Sequence, residues 1–312
     1  MDTDRLRAVL ARWDGRVASI ENLAGGWNST TWLVHLAGRD SASARYVAKL
    51  ADSGDADAFR GGLRVARAAS SHGFPSGPPI PARDGTMAVE LPEGILALLE
   101  YLPGRPPDTA SMADVRRVGE TLARAHLVLR GEDDELGERF AWPWPWANHC
   151  LQEIPMPAKV RAAAARALEQ ARNIPDHAQL RVGVVHGDPG LDGFRLREER
   201  ADRLDGLVDW SAAMQAPLLY DLGCLSVITR HEPHLLPWAL DGYLRVLPDA
   251  SGELVHLDAF VKLRWMCNAV YFAARLESGI TRGAGSAAEN QKGLAEAYEG
   301  LTAEPAEPHA AR

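Results

Sequence analysis

The 312-residue chain is 46% hydrophobic, 24% charged and 7% aromatic, a globular balance that excludes disordered and collagen-like classes. That length allows roughly two domain-sized units, since a single core usually stops growing near about 250–300 residues. A formal net charge of −8 argues against a nucleic-acid partner, because binding a phosphate backbone needs clustered Lys and Arg; it would instead steer a cationic small molecule or basic peptide.

The opening segment MDTDRLRAVLARW predicts a charged, amphipathic helix over 3–13 and lacks the apolar stretch of a secretory signal. No apolar run reaches the roughly 18 residues that span a bilayer, so a cytoplasmic protein with no membrane partner is expected. Residues 17–51 read as three strands, with a Gly-rich turn, Ala24 to Thr30, between the first two. Trp32, Val34 and Leu36 alternate with Leu33 and His35, the pattern of a strand half-buried on both faces. A helix over 56–71 ends ahead of Gly73 and Pro75. The apolar runs 87–91 and 95–102, separated by Pro92, Glu93 and Gly94, form a hairpin, and the Pro/Gly cluster 103–107 is the candidate hinge.

Beyond the hinge the period turns helical, with Val115, Val118, Leu122, Ala125 and Leu129 on one face and Ser111 with Asp114 as an N-cap pair. The aromatic, Pro-rich segment Trp142 to Cys150 reads as a rigid packed crossover in preference to an acceptor-binding platform. A helix over 158–172 follows. Two short β runs, 182–186 and 205–210, flank a loop as one small strand pair. Helices over 217–230, 234–246, 255–278 and 285–302 complete the chain before a frayed tail. Cys150, Cys224 and Cys267 are odd in number and far apart, which reads as reduced core thiols with neither disulfide nor zinc spacing. The class is α+β, divided into a β-rich N-lobe over 1–102 and a mainly helical C-lobe over 103–312.

Chemistry concentrates in VVHGDPGLDGF at 184–194, LVDW at 207–210 and PLLYDLG at 217–223. Two strand ends that deliver Asp188 and Asp209 side by side suit phosphoryl transfer, in which one carboxylate takes the proton of the attacking hydroxyl and another holds a divalent cation on the nucleotide phosphates. In this order and spacing the chain resembles the aminoglycoside phosphotransferase and choline-kinase-like family, with its two-lobed protein-kinase-like fold. The resemblance implies ATP or GTP with Mg²⁺ as cofactors, Asp188 as catalytic base and Asp209 as metal ligand. It further implies that Asp221 supports the catalytic loop and that His186 packs it. The nucleotide would lie on Gly25, Gly26, Asn28, Ser29 and Thr30 of the turn, on Lys49, and on the backbone from Glu100 to Leu102.

Two positions depart from the family pattern. The metal-binding Asn expected seven residues after His186 is Gly193, and Asp192 beside it is the candidate replacement ligand. No Glu lies between Lys49 and Glu90 to pair the lysine, which leaves Asp55 or Asp57 as substitutes. The Pro after His-Gly-Asp and the missing Asn resemble an actinobacterial subgroup found near antibiotic or modified-peptide biosynthesis. The expected function is O-phosphorylation of a small molecule or of Ser/Thr in a biosynthetic peptide. The rival reading is a nucleotide-binding scaffold for a partner protein.

Overall fold

The computed structural model describes residues 1–23, 26–37, 43–132, 136–174, 180–198 and 204–304; Gly25 and nearly all of the expected frayed tail lie outside them. The first lobe is a five-stranded antiparallel sheet in the order β1 (Arg16–Leu23), β2 (Ser29–Ala37), β3 (Ser43–Ala51), β5 (Gly94–Glu100), β4 (Val89–Leu91). Because successive strand residues face opposite sides, the sheet buries both. Trp32, Val34, Leu36, Ala48 and Leu50 pack with Leu6 and Leu10 of α1 (Thr3–Leu10) and with Trp13. Ala51, Ile95 and Ala97 pack with Phe59 and Leu63 of α2 (Ala56–Ser71). Lys49 shares the α2 side with Ala51, two residues on, and this parity aims its ammonium at the cleft. Helix α1 stops short of the expected residue 13, since the N–H groups of Arg12 and Trp13 bond three residues back, to Val9 and Leu10.

The second lobe packs seven helices among the described residues around one large core: α3 (Met112–Val128), α4 (Pro145–Glu153), α5 (Ala158–Arg172), α6 (Leu219–Ile228), α7 (Leu235–Val246), α8 (Leu257–Glu277) and α9 (Ala287–Thr302). The hydroxyl of Ser111 caps α3 by accepting the Asp114 N–H at 3.3 Å. Asp114 does not reciprocate: its carboxylate takes Arg105 and the Asp108 N–H, tying the hinge to α3. The hinge also exchanges backbone bonds with Leu196, at 3.0 and 2.8 Å. In the crossover, Trp144 is fully buried, stacks on Trp146, meets Tyr220 edge-on and donates to the Gln215 carbonyl at 2.8 Å. Packing therefore accounts for it, as expected.

The small strands differ from expectation. The runs 182–186 and 205–210 do not pair with each other. β6 (Val182–Val185) pairs with β9 (Met214–Pro217), and β7 (Phe194–Arg195) pairs with β8 (Gly206–Leu207). Residues 214–217 thus belong to a strand, and the helix expected from 217 begins at Leu219. Among the described residues no helix is long and apolar enough to cross a membrane.

Candidate active site

Asp221 stands in the first turn of α6 with no solvent exposure and gathers the loop that follows β6. It accepts the backbone N–H groups of His186 at 2.7 Å and Gly187 at 2.9 Å, and the His126 Nε2–H at 3.0 Å. Its desolvation works to raise its pKa, but the His126 contact, the charge of His186 and the loop N–H bonds outweigh this and hold it below the usual carboxylate range. The His186 ring lies 4.8 Å from Trp210 and its Nε2–H donates to the Val208 carbonyl at 3.0 Å, joining this loop to the one that carries Asp209. Gly187 has φ +83, and a Cβ there would overlap the Ala212 carbonyl, so the tight turn that presents Asp188 requires glycine.

Asp188 lies in the cleft with 54% of its side chain exposed, and its Oδ1 accepts a hydrogen bond from Arg264 Nη2 of α8 at 2.7 Å. Asp209, with φ +70, is 59% exposed, pairs with Lys49 and accepts the Ser211 hydroxyl at 3.0 Å. Crowding by protein atoms pushes its pKa up, but the charge and hydrogen bond of Lys49, with His186 and Ser211, bring it down to about 2. It is therefore ionised at neutral pH, an oxygen donor that fits a divalent cation. Among the described residues no three acidic, His or Cys groups cluster as a complete cage.

Lys49 is buried and has no carboxylate partner on α2. The residues of that helix that line the space beside it are Phe59, Gly62, Leu63 and Ala66. The expectation that Asp55 or Asp57 substitutes for the missing Glu is corrected: Asp57 faces Arg60 at 3.7 Å and Arg139 at 3.9 Å, and the ion-pair partner of Lys49 is Asp209, across the lobes.

The Gly-rich turn is held from the opposite lobe. The Asn28 amide oxygen accepts the Tyr271 hydroxyl at 2.8 Å, the Trp27 carbonyl accepts Arg275 Nη1 at 3.2 Å, and the Trp27 ring packs on Phe272. Ser29 is buried; Gly26 and Thr30 are half-buried. At the hinge the Glu100 N–H is used by the Pro78 carbonyl at 2.9 Å, and Leu102 is buried. Asp192 is exposed, with its Oδ1 turned back over Gly190. Gly193 accepts the Val208 N–H at 3.1 Å, one residue from Asp209, so the position of the absent Asn adjoins the second carboxylate loop. The contacts of Arg264 and of Tyr271 were missed in the sequence. The available signal was a basic residue in the apolar run around Leu263 and Trp265, since a guanidinium in such surroundings needs a partner.

The model of the family described as "Phosphotransferase enzyme family" matches residues 19–252 of this chain. A homoserine kinase of Allorhizobium ampelinum is 27% identical over 289 residues, covering 85% of this chain and 84% of its own. A homoserine kinase of Agrobacterium fabrum is 24% identical and covers 91% and 88%. Among solved structures, an amicoumacin kinase in complex with AMP-PNP and Ca²⁺ superposes with TM-score 0.69 at 16% identity, covering 96% of this chain and 93% of that one. A microcompartment-associated aminopropanol kinase gives TM-score 0.67 at 18% identity, covering 96% and 95%. These superpositions establish the two-lobed, kinase-like fold. With the family model spanning most of its length, the chain belongs to the phosphotransferase enzyme family and is a phosphotransferase whose acceptor is an alcohol group.

Proposed function

We propose that the protein moves the γ-phosphoryl group of ATP or GTP to a hydroxyl of a small molecule, with Asp188 as the base and Asp209 as the main protein ligand of Mg²⁺. The observation that carries the reading is the division of labour between two cleft carboxylates. Asp188 is held from the acceptor-side lobe by Arg264, and Asp209 is held from the nucleotide-side lobe by Lys49. Bound Mg²⁺ would neutralise the phosphate oxygens, and Asp192, beside Gly193, is the proposed second ligand. Gly25, Gly26, Asn28, Ser29 and Thr30 would cover the phosphates, Lys49 would contact them, and the Glu100–Leu102 backbone would meet the base edge. His186 and Asp221 hold the loop that presents Asp188. In the transfer, Asp188 accepts the hydroxyl proton, the acceptor oxygen bonds the γ-phosphorus, and the bond to the bridging oxygen breaks to release the nucleoside diphosphate.

For the acceptor, the curated relatives of nearly full coverage are homoserine kinases, so a short amino alcohol such as L-homoserine is the first candidate. Incubation with Mg·ATP and L-homoserine, 1-amino-2-propanol or an aminoglycoside, followed by ³¹P NMR, is expected to show a new phosphomonoester with one of them. Asp188→Asn should slow its formation by about 10²- to 10⁴-fold, the usual worth of a general base. Tight nucleotide binding with no phosphomonoester from any hydroxyl, a Ser/Thr peptide included, would leave the scaffold reading standing.

A further inference from the structure

We propose that Arg264 is a positioning residue for the transfer step: it holds one oxygen of Asp188 so that the other faces the acceptor hydroxyl. The inference rests on Asp188 being the base. Arg264 forks across the loop, with Nη2 donating to Asp188 Oδ1 at 2.7 Å and Nη1 to the Gly187 carbonyl at 3.1 Å. A carboxylate that is 54% exposed would otherwise rotate freely about its side-chain bonds, whereas the guanidinium that grips it is 16% exposed and rooted in the core. A planar donor fork fixes direction as well as distance, which an ammonium does not. Despite burial, which disfavours its charge, Arg264 stays firmly cationic because Asp188 faces it.

The anchor matters as much as the contact. Arg264 stands between buried Leu263 and Trp265 in the 21-residue helix α8, which packs closely on α6, the helix that carries Asp221. Residues 264, 271 and 275 are spaced to share one face of α8. Tyr271 and Arg275 on that face hold the Gly-rich turn through Asn28 and the Trp27 carbonyl. One rigid helix therefore sets the base and the turn over the nucleotide at a fixed separation. Near-attack geometry is sensitive to this, since a displacement of about 1 Å can cost about 10²-fold in rate.

The test is a double-mutant cycle of Arg264→Ala and Asp188→Asn, read as ADP release from Mg·ATP with L-homoserine as the acceptor probe and with water as acceptor when it is left out. With Asp188 present, Arg264→Ala is expected to lower kcat about 10- to 100-fold, with nucleotide affinity changed less than about 3-fold. In the Asp188→Asn background the same change should alter the rate by less than about 3-fold, because the side chain that Arg264 orients is no longer a base. Arg264→Lys, which keeps the charge and loses the fork, should fall between, and it decides the matter if the Ala variant does not fold. Equal losses in both backgrounds, or a kcat unchanged by Arg264→Ala, would overturn the proposal while leaving the base assignment intact. A fully active Asp188→Asn would instead overturn the base assignment and this proposal with it.

Discussion

Asp209 and Asp221 both lie below the usual carboxylate range, and for different reasons. Asp209 is held down mainly by Lys49 at the cleft, with His186 and Ser211 adding to it, and Asp221 by a closed set of hydrogen bonds with no access to water. Asp221→Asn should therefore act mainly on stability, costing about 3–5 kcal/mol by breaking a buried charged network. The sign of its pH dependence follows from the depressed pKa: the contribution of Asp221 is fully present above its unfolded pKa of about 4 and is lost as pH falls below that through the folded value. Urea titrations from pH 7 to pH 2.5 should show the gap between parent and Asn variant close in acid; a gap that stayed constant would contradict the network account. At this scale the sequence was informative where order and spacing carry meaning, as for Asp188, Asp209 and Asp221. It was silent on Arg264, 76 residues from Asp188, because no local pattern encodes a contact of that separation.

Helix α2 lines the space beside Lys49 with Phe59, Gly62, Leu63 and Ala66. The helix crosses the loop after Asp209 so closely that a Cβ on Gly62 would overlap the Trp210 carbonyl, whereas one on Gly61 would meet side-chain atoms alone, Leu136 Cδ2 at 3.4 Å and Arg64 Nη2 at 4.0 Å. The two neighbours should thus respond in opposite senses. Gly61→Ala is expected to stabilise by up to about 1 kcal/mol through helix propensity. Gly62→Ala gains the same but meets backbone that cannot yield, an overpacking cost of about 1–3 kcal/mol, and should lower both the melting temperature and nucleotide affinity. Similar melting temperatures for the two variants would show that the close crossing does not form. Most elements were legible from period and punctuation, among them α2, α3, α5 and the N-lobe strands. Helix α4 was not, because its Pro and Trp residues read as crossover, although Pro145 at its first turn is a helix-start signal. The partner of β6 was not legible either, since alternation marks a strand without naming its neighbour.

Besides the packing of α2 on the loop after Asp209, the contacts that join the two lobes include Lys49 with Asp209, the Gly-rich turn on α8, and Asp52 with Arg282, whose Nη1 lies 3.2 Å from Asp52 Oδ1. These contacts close the cleft around the carboxylates, and nucleotide binding has to share the Lys49 and Asp209 pair. Loss of Asp209 should therefore weaken the nucleotide, while loss of Asp188 should spare it. Calorimetric titration of Mg·ATP into the parent, Asp188→Asn and Asp209→Ala proteins, each with and without EDTA, tests this directly. The account predicts metal-dependent binding in the parent, nearly the same affinity in Asp188→Asn, and at least about tenfold weaker binding in Asp209→Ala. Binding that ignores EDTA and survives Asp209→Ala unchanged would contradict it.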